Sequence, residues 1–359
     1  MKSATGRSMK AGGKVSRKFL ESVVLANLGA RRGSVIIGPG NGRDNAVISL
    51  GKKKVLVATS DPLSVIPAVG LEWSAWLSVN LLASDITTSG VDPEFAMLDF
   101  NFPLEMELNA ARMYLKAVGE ECGRLGIAIV GGHTGRYPGS GYTVVGAGTM
   151  FGTAGQSGYV SPTMAEAGDQ VLVTKGAAIG ATAVLSSAFP RTVGAKIGRA
   201  SLRKAQALLP HCSTVGDARI ARRLGLRRAV TSMHDATEGG VLGGLYETSS
   251  ACSKPIVVDR ERVPVSKEAA AVCRCFGLDP LTTLSEGTLI ITCEKDAIAN
   301  LRGALSREGI DSSHVGQVVE GRGPALRVLG GRGPAQEYTP PDSDPYWAAY
   351  MDANNRGLD

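Results

Sequence analysis

The stretch Leu71–Gly90, LEWSAWLSVNLLASDITTSG, constrains the fold more than any other part of the chain. Leu71, Ala75, Trp76, Val79, Leu82, Ala83 and Ile86 recur at helical spacing, so it reads as one long, largely apolar helix. Between Glu72 and Asp92 the single ionisable side chain is Asp85. A lone carboxylate in such a run is costly to bury unless it is hydrogen-bonded, paired or on a metal. It also sits near the carboxyl end of the helix, where the helix dipole disfavours an anion. Two readings stand. Either Asp85 bonds a nearby amide or an Arg of another element, or it belongs to a metal or phosphate site with Asn80, Ser84, Thr87 and Thr88 as polar neighbours.

A helix this apolar needs a large core around it. The chain has 359 residues, enough for such a core and a soft prior for two domains. No apolar run approaches the ~18 residues of a membrane span. The basic N-terminus lacks the apolar centre of a signal peptide, so the expectation is a cytoplasmic protein with no membrane partner.

Charge is unevenly spread. Residues 1–60 carry twelve Lys/Arg against two acids, and residues 1–18 hold six positive charges and no acid. This basic arm, residues 1–15, reads as a solvated extension. A nucleic-acid arm is the alternative, but no aromatic platform or recognition motif accompanies it. The six cysteines form no CxxC and no zinc-finger spacing, so they read as reduced structural thiols.

Along the chain, a helix is expected at Ser16–Leu28 and short strands at Ser34–Ile37, Ala46–Leu50 and Val55–Thr59. The turn GPGNGRD, Gly38–Asp44, does not fit GxGxxG, and the chain has no P-loop and no GxSxG elbow. After the Asp85 helix come a strand at Phe95–Phe100, a helix near Leu104–Leu125 and a buried strand, Ile127–Val130. That strand runs into Gly131-Gly132-His133-Thr134, read as a turn where backbone amides can approach phosphate. His133 is either a core histidine or a candidate for proton transfer. Gly155–Gly168 is the candidate linker. The second half alternates strands and helices to about residue 333, which gives an α/β fold class. The segment 334–359 carries one short amphipathic piece around Tyr346, Trp347, Tyr350 and Met351.

Four acids end strands or stand alone in apolar surroundings: Asp44, Asp61, Asp85 and Asp235. Magnesium prefers a few carboxylates plus phosphate and water. The pieces GRDNAVI (42–48), TSDP (59–62), VNLLASDITTSGVDP (79–93), IVGGHT (129–134), GDQVLVTKG (168–176), MHDATEGGVLGGLYE (233–247) and SEGTLII (285–291) stand in a specific order. That order resembles the AIR synthase (PurM-like) superfamily. Its members include AIR synthase, thiamine-monophosphate kinase, selenophosphate synthetase and the hydrogenase-maturation dehydratase of HypE type.

The resemblance implies a two-domain α/β subunit, an ATP-binding domain at 16–154 and a second at 168–333. It also implies a homodimer whose first-domain sheets form a barrel, with ATP and magnesium in a cleft near that junction. It makes Asp44, Asp61 and Asp85 metal–phosphate ligands. Asn80, Gly131, Gly132 and Thr134 become nucleotide contacts, and Asp235, Thr237, Gly239 and Gly240 the second domain's share. Asp85 and His133 are the catalytic candidates. The expected activity uses the γ-phosphoryl group of ATP to activate an oxygen, of amide type, on a small-molecule or protein-borne substrate. Three departures matter: Asn45 stands where a second acid is frequent, the reactive Cys or selenocysteine of selenophosphate synthetases is absent, and no cysteine follows Cys293. The alternative is a nucleotide-binding or assembly protein that keeps the fold without turnover.

Overall fold

In the computed structural model, residues 12–330 and 334–359 are described. Most of the expected basic arm, residues 1–11, lies outside the described residues. A mixed helical stretch opens with α1 (Arg17–Phe19) and continues as a π turn and a 3-10 turn to Asn27, close to the expected helix.

The first sheet holds β1 (Val35–Ile37), β2 (Ala46–Gly51), β3 (Lys54–Ser64), β4 (Phe95–Pro103), β5 (Ala128–Tyr137) and β6 (Val144–Gly155) in the order β1-β2-β3-β6-β4-β5. All neighbours are antiparallel except β4 and β5. Those two are parallel because a helix separates them in the chain. Two helices, α2 (Gly70–Thr87) and α3 (Leu108–Leu125), cover one face, with Leu63, Val79, Leu82, Leu98, Phe100 and Tyr114 buried between. β4 shows why one face is covered: Ala96, Leu98 and Phe100 point inward, while Phe95, Met97 and Asp99 point out.

Two expectations are corrected here. β3 was expected to end at Thr59, but it runs on through Asp61 and Pro62, paired with β6 along its length. Ile127–Val130 was expected as a buried strand leading to a turn. Only Ile127 is buried, and β5 continues as strand through Gly131, Gly132, His133 and Thr134. It is the open edge of the sheet, and most of its residues are exposed.

The second sheet is built from β7 (Gln170–Thr174), β8 (Val230–Ala236), β9 (Ile256–Asp259), β10 (Thr288–Cys293), β11 (Ser312–Val318), β12 (Leu326–Leu329) and β13 (Gln336–Tyr338). Their order is β13-β12-β9-β11-β7-β10-β8, antiparallel except for β12 against β9. Helices α4 (Ile179–Ala188), α5 (Pro190–Ile197), α6 (Arg199–Gln206), α7 (Val215–Arg223), α8 (Gly240–Cys252), α9 (Lys267–Cys275) and α10 (Ile298–Arg307) pack around it. The result is a mixed α/β architecture with two sheets. The candidate linker is packed rather than free: Val160, Ser161, Pro162 and Ala165 are buried.

The apolar helix of the opening argument, α2, is buried nearly all round. One side faces the first sheet and α3, and the other faces α4 and the 209–212 turn through Leu77, Ile179, Ala183, Leu209 and Cys212. Ser84 Oγ accepts the backbone N–H of Thr214 at 2.9 Å, so even a polar side of α2 is used across the junction. Asp92 adds a second link, bonded at 2.6 Å to both Arg219 and Arg222 of α7. The last helix, α11 (Pro345–Asn355), docks on the second unit by an aromatic cluster of Tyr346, Tyr350, Phe189 and Phe276. No helix among the described residues is long and apolar enough to cross a membrane.

Candidate active site

Four acids meet where the two sheets face each other. Asp44 ends the glycine-rich loop before β2, Asp61 lies on β3, Asp85 on the last turn of α2, and Asp235 near the end of β8. Each is set by its own element. Thr59, two residues before Asp61 on the same face of β3, places its hydroxyl 2.7 Å from the Asp44 carbonyl oxygen and 3.1 Å from Asp85 Oδ2. Its one proton serves both acceptors. Asn45 is buried, and its amide donates to the backbone carbonyl of Asp85 and to Thr88 Oγ1 at 3.0 and 3.1 Å. The departure at Asn45 therefore closes the carboxyl end of α2, where carbonyls lack helical partners.

The carboxylates disturb one another, which is the electrostatic sign of their convergence. Burial, then Asp235, Asp61 and Asp44, push the Asp85 carboxyl well above its ordinary range. Burial and Asp44 raise Asp235 to about 7, against the pull of His234 and Lys14. Burial raises Asp61 to about 6, with Lys14 opposing and Glu238 assisting. Glu286 is pushed up by burial and by Asp235 and Asp61.

Two cations answer this charge. His234 lies with Nδ1 2.8 Å from Asp44 Oδ1 and Nε2 3.0 Å from Glu247 Oε2. Burial alone would lower its imidazole, but Asp44 and Glu247 outweigh burial and hold it well above the usual range. Lys14 donates from Nζ to Thr237 Oγ1 at 2.8 Å, and its backbone N–H donates to Glu238 Oε2 at 2.7 Å. Burial opposes its charge, yet Glu247, Asp235, Glu238 and Glu286 raise its pKa. The segment is seated by Gly12 and Gly13 against Trp347, and by Arg17, which donates to the Tyr246 hydroxyl. A side chain on Gly13 would collide with the Trp347 ring and with Glu238.

The donor set fits magnesium. Asp44 and Asp235 offer carboxylate oxygens within 4.8 Å of each other and of a His234 ring nitrogen, which is itself bonded to Asp44. Asp61 and Asp85 add hard oxygens whose proton affinity is raised first by burial, with neighbouring acids adding to it, and a divalent cation would stabilise their ionised forms.

Other residues singled out from the sequence lie elsewhere. Asn80 turns towards α3, donating to Glu121 Oε1 at 2.7 Å and to the Trp76 carbonyl. Gly131, Gly132, His133 and Thr134 sit on β5. In register, Asp61 pairs with Gly148, Gly148 with Leu98, and Leu98 with Gly132. That is three strand spacings, roughly 14 Å, so His133 does not join the cluster within this protomer. Its Nε2 bonds the Tyr137 hydroxyl at 2.6 Å instead. Thr237 meets Lys14, the Gly239 N–H is taken by Asp344 Oδ2 at 2.7 Å, and Gly240 begins α8.

Sequence reasoning did not single out His234, Glu247, Glu286 or Lys14 as site residues. His234 and Glu247 are thirteen residues apart, on a strand and the helix that follows it. The one available signal was that all but Lys14 fall inside the motif segments 233–247 and 285–291.

Residues 42–154 match the N-terminal domain, and residues 166–329 the C-terminal domain, of the AIR synthase related proteins. The chain belongs to that family. The carbamoyl dehydratase HypE of Cupriavidus necator is 25% identical over 325 residues, covering 86% of this chain and 84% of that protein. The crystal structure of HypE from Escherichia coli, a hydrogenase maturation protein, superposes with a TM-score of 0.67 at 25% identity, over 81% of this chain and 87% of that one. A HypE solved in complex with ATP superposes with a TM-score of 0.67 at 18% identity, over 93% of this chain and 97% of that one, a likeness of fold. The chain is thus an ATP-dependent enzyme of the AIR synthase related family.

Proposed function

We propose that this enzyme moves the γ-phosphoryl group of ATP onto an oxygen of an amide-type substrate, small or protein-borne, so that the oxygen can later leave as phosphate. The convergence of Asp44, Asp61, Asp85 and Asp235 at the junction carries the reading. Relatives named carbamoyl dehydratase and a HypE structure holding ATP support it.

In this reading the substrate oxygen forms a bond to the γ-phosphorus. The bond from that phosphorus to the bridging oxygen breaks, and ADP leaves with the electron pair. Such transfer rests on positioning and charge neutralisation. Asp61, Asp85 and Asp235, with Asp44, would hold magnesium, which when bound supplies charge neutralisation at the phosphoryl oxygens. Lys14 brings a further positive charge to the phosphate side of the cleft. His133 is left out of proton transfer within one protomer because β5 holds it three strands away.

We also propose a homodimer through the first sheet. Its outer face exposes Phe95, Met97 and Val144, and its unpaired edge strand β5 exposes Ile129 and Val130. A second copy covers both and closes the two sheets into a barrel.

The test is calorimetric binding of ATP with magnesium and with EDTA, followed by ADP release on adding primary amides and thiocarbamates. Magnesium-dependent binding and amide-stimulated ADP release are expected. ATP binding that ignores magnesium would overturn the metal site, and binding without ADP release from any amide would favour the non-catalytic reading.

A further inference from the structure

His234 joins the two halves of the molecule at the site. Its ring is 2% exposed and both of its nitrogens face carboxylates. Carboxylates only accept, so both ring nitrogens donate: Nδ1 to Asp44, where Oδ1 and Oδ2 lie 2.8 and 3.0 Å away, and Nε2 to Glu247 Oε2 at 3.0 Å. Asp44 comes from the loop between β1 and β2, whereas His234 and Glu247 come from β8 and α8.

That loop contains Gly38, Gly40 and Gly42, and its tethers through Arg43 to the Gly38 carbonyl, Asn45 to α2 and Thr59 to the Asp44 carbonyl are not bonds to the Asp44 carboxylate. The loop is nevertheless seated firmly on α8. Gly42 has φ +69°, and a methyl group there would collide with the Glu247 carbonyl oxygen. So the same turn of α8 supports the loop backbone through Gly42 and the Asp44 carboxylate through Glu247 and His234.

On the reading that Asp44 is a metal ligand, we propose that His234 is a positioning residue. Held from behind by Glu247, it fixes the Asp44 carboxylate across the domain junction and so sets the affinity of the site for a divalent cation. Partners that orient a ligand from outside the coordination shell typically govern metal affinity by about 10–100-fold. Burial and fixed geometry both act here, because a carboxylate on a glycine-rich loop would otherwise sample many orientations. His234 does not itself ligate the cation while both nitrogens are engaged.

The test uses Mn2+ as the probe, without nucleotide, on the full chain. Its affinity is measured by electron paramagnetic resonance, with thermal unfolding recorded for each variant. His234→Asn keeps an N–H near the Nδ1 position and its bond to Asp44. His234→Gln reaches to the Nε2 position and keeps a bond to Glu247 only. The proposal expects His234→Asn to bind Mn2+ within a few-fold of wild type and His234→Gln to bind roughly tenfold or more weakly. Equal affinities for the two variants would overturn it, as would nitrogen hyperfine coupling to Mn2+ in the wild type, which would make His234 a ligand. Should both His234 variants fail to fold, 15N NMR of the wild-type imidazole with saturating Mg2+ decides. The proposal expects both ring N–H protons to remain, and loss of the Nδ1 proton on Mg2+ binding would sink it. A wild-type protein that binds no Mn2+ removes the metal reading itself. A wild type that binds, with unmoved variants, removes only the positioning role.

Discussion

The Asn45 side-chain amide donates to the backbone carbonyl of Asp85 at 3.0 Å, joining residues forty apart in the chain. It binds the loop that carries one metal-ligand candidate to the helix end that carries another. Removing the amide takes one donor from the Asp85 carbonyl, which keeps the Thr88 hydroxyl at 2.7 Å, and a net hydrogen bond is worth about 0.5–1.5 kcal/mol. Asn45→Ala should therefore lower the unfolding free energy by that much, seen as a lower urea midpoint at unchanged slope. Asn45→Asp, which restores a second acid, should destabilise further in EDTA, because a carboxylate cannot donate to the Asp85 carbonyl. Denaturant titration of both variants checks this. An Asn45→Asp protein as stable as wild type would contradict it.

Asp85→Asn keeps the shape of the side chain and the acceptor for Thr59, but removes the negative charge. Loss of one partner of a buried charge interaction costs roughly 2–5 kcal/mol. Affinity for magnesium–ATP should fall by an order of magnitude or more, while folding survives or improves, since an unneutralised carboxylate no longer has to be buried. Calorimetry and melting on the same variant separate the two roles. A lower melting temperature with unchanged magnesium–ATP affinity would make Asp85 structural.

Magnesium should change how stability depends on pH. Asp61 and Asp235 are raised to about 6 and about 7 from the ordinary carboxyl value of 3.8, chiefly by burial. The folded state therefore binds more protons than the unfolded state between those values. Stability from these groups is full below about pH 4 and is lost as pH rises through about 6 to 7. In EDTA the melting temperature should fall across that upper range. Saturating magnesium holds the same carboxylates ionised, so it should flatten the slope. Melting curves at matched ionic strength measure both arms, and identical slopes would count against a cation at these groups.

Met97 and Val130 are 49% and 55% exposed on the outer face and edge of the first sheet. Charging that surface should break the proposed dimer without touching the acidic cluster. Light scattering is expected to give a dimer mass for wild type and a monomer mass for the Met97→Lys/Val130→Lys double variant. A wild-type monomer at micromolar concentration would refute the dimer.

All six cysteines are free thiols. Burial pushes Cys122 up to about 11 and Cys212, Cys273 and Cys293 up to about 12. Thiolate, not thiol, is the nucleophile, so these four should resist alkylation at pH 8 in the native state. Cys275, the half-buried one, should react first. Mass spectrometry after brief iodoacetamide treatment reads this directly, and fast labelling of Cys212 or Cys293 would disprove it.

The sequence by itself determined the long apolar helix, the lone acid near its end and the ordered motifs that mark the family. Those signals are local: periodicity reports which face a helix buries, and an isolated carboxylate in an apolar run demands a partner wherever the run ends up. It did not determine which partners meet. His133 and the glycines beside it looked like a ligand turn because strand and turn share small residues there. The register of β5 at the sheet edge sets them three strands from Asp61 within one protomer. His234 looked like one polar residue in a motif until β8 and α8 set it between Asp44 and Glu247. Asn45 read as a missing acid until its amide was found on the end of α2. Tertiary structure decided these because hydrogen bonds need donor and acceptor within about 3 Å, and only folding brings residues forty or two hundred positions apart to within that distance.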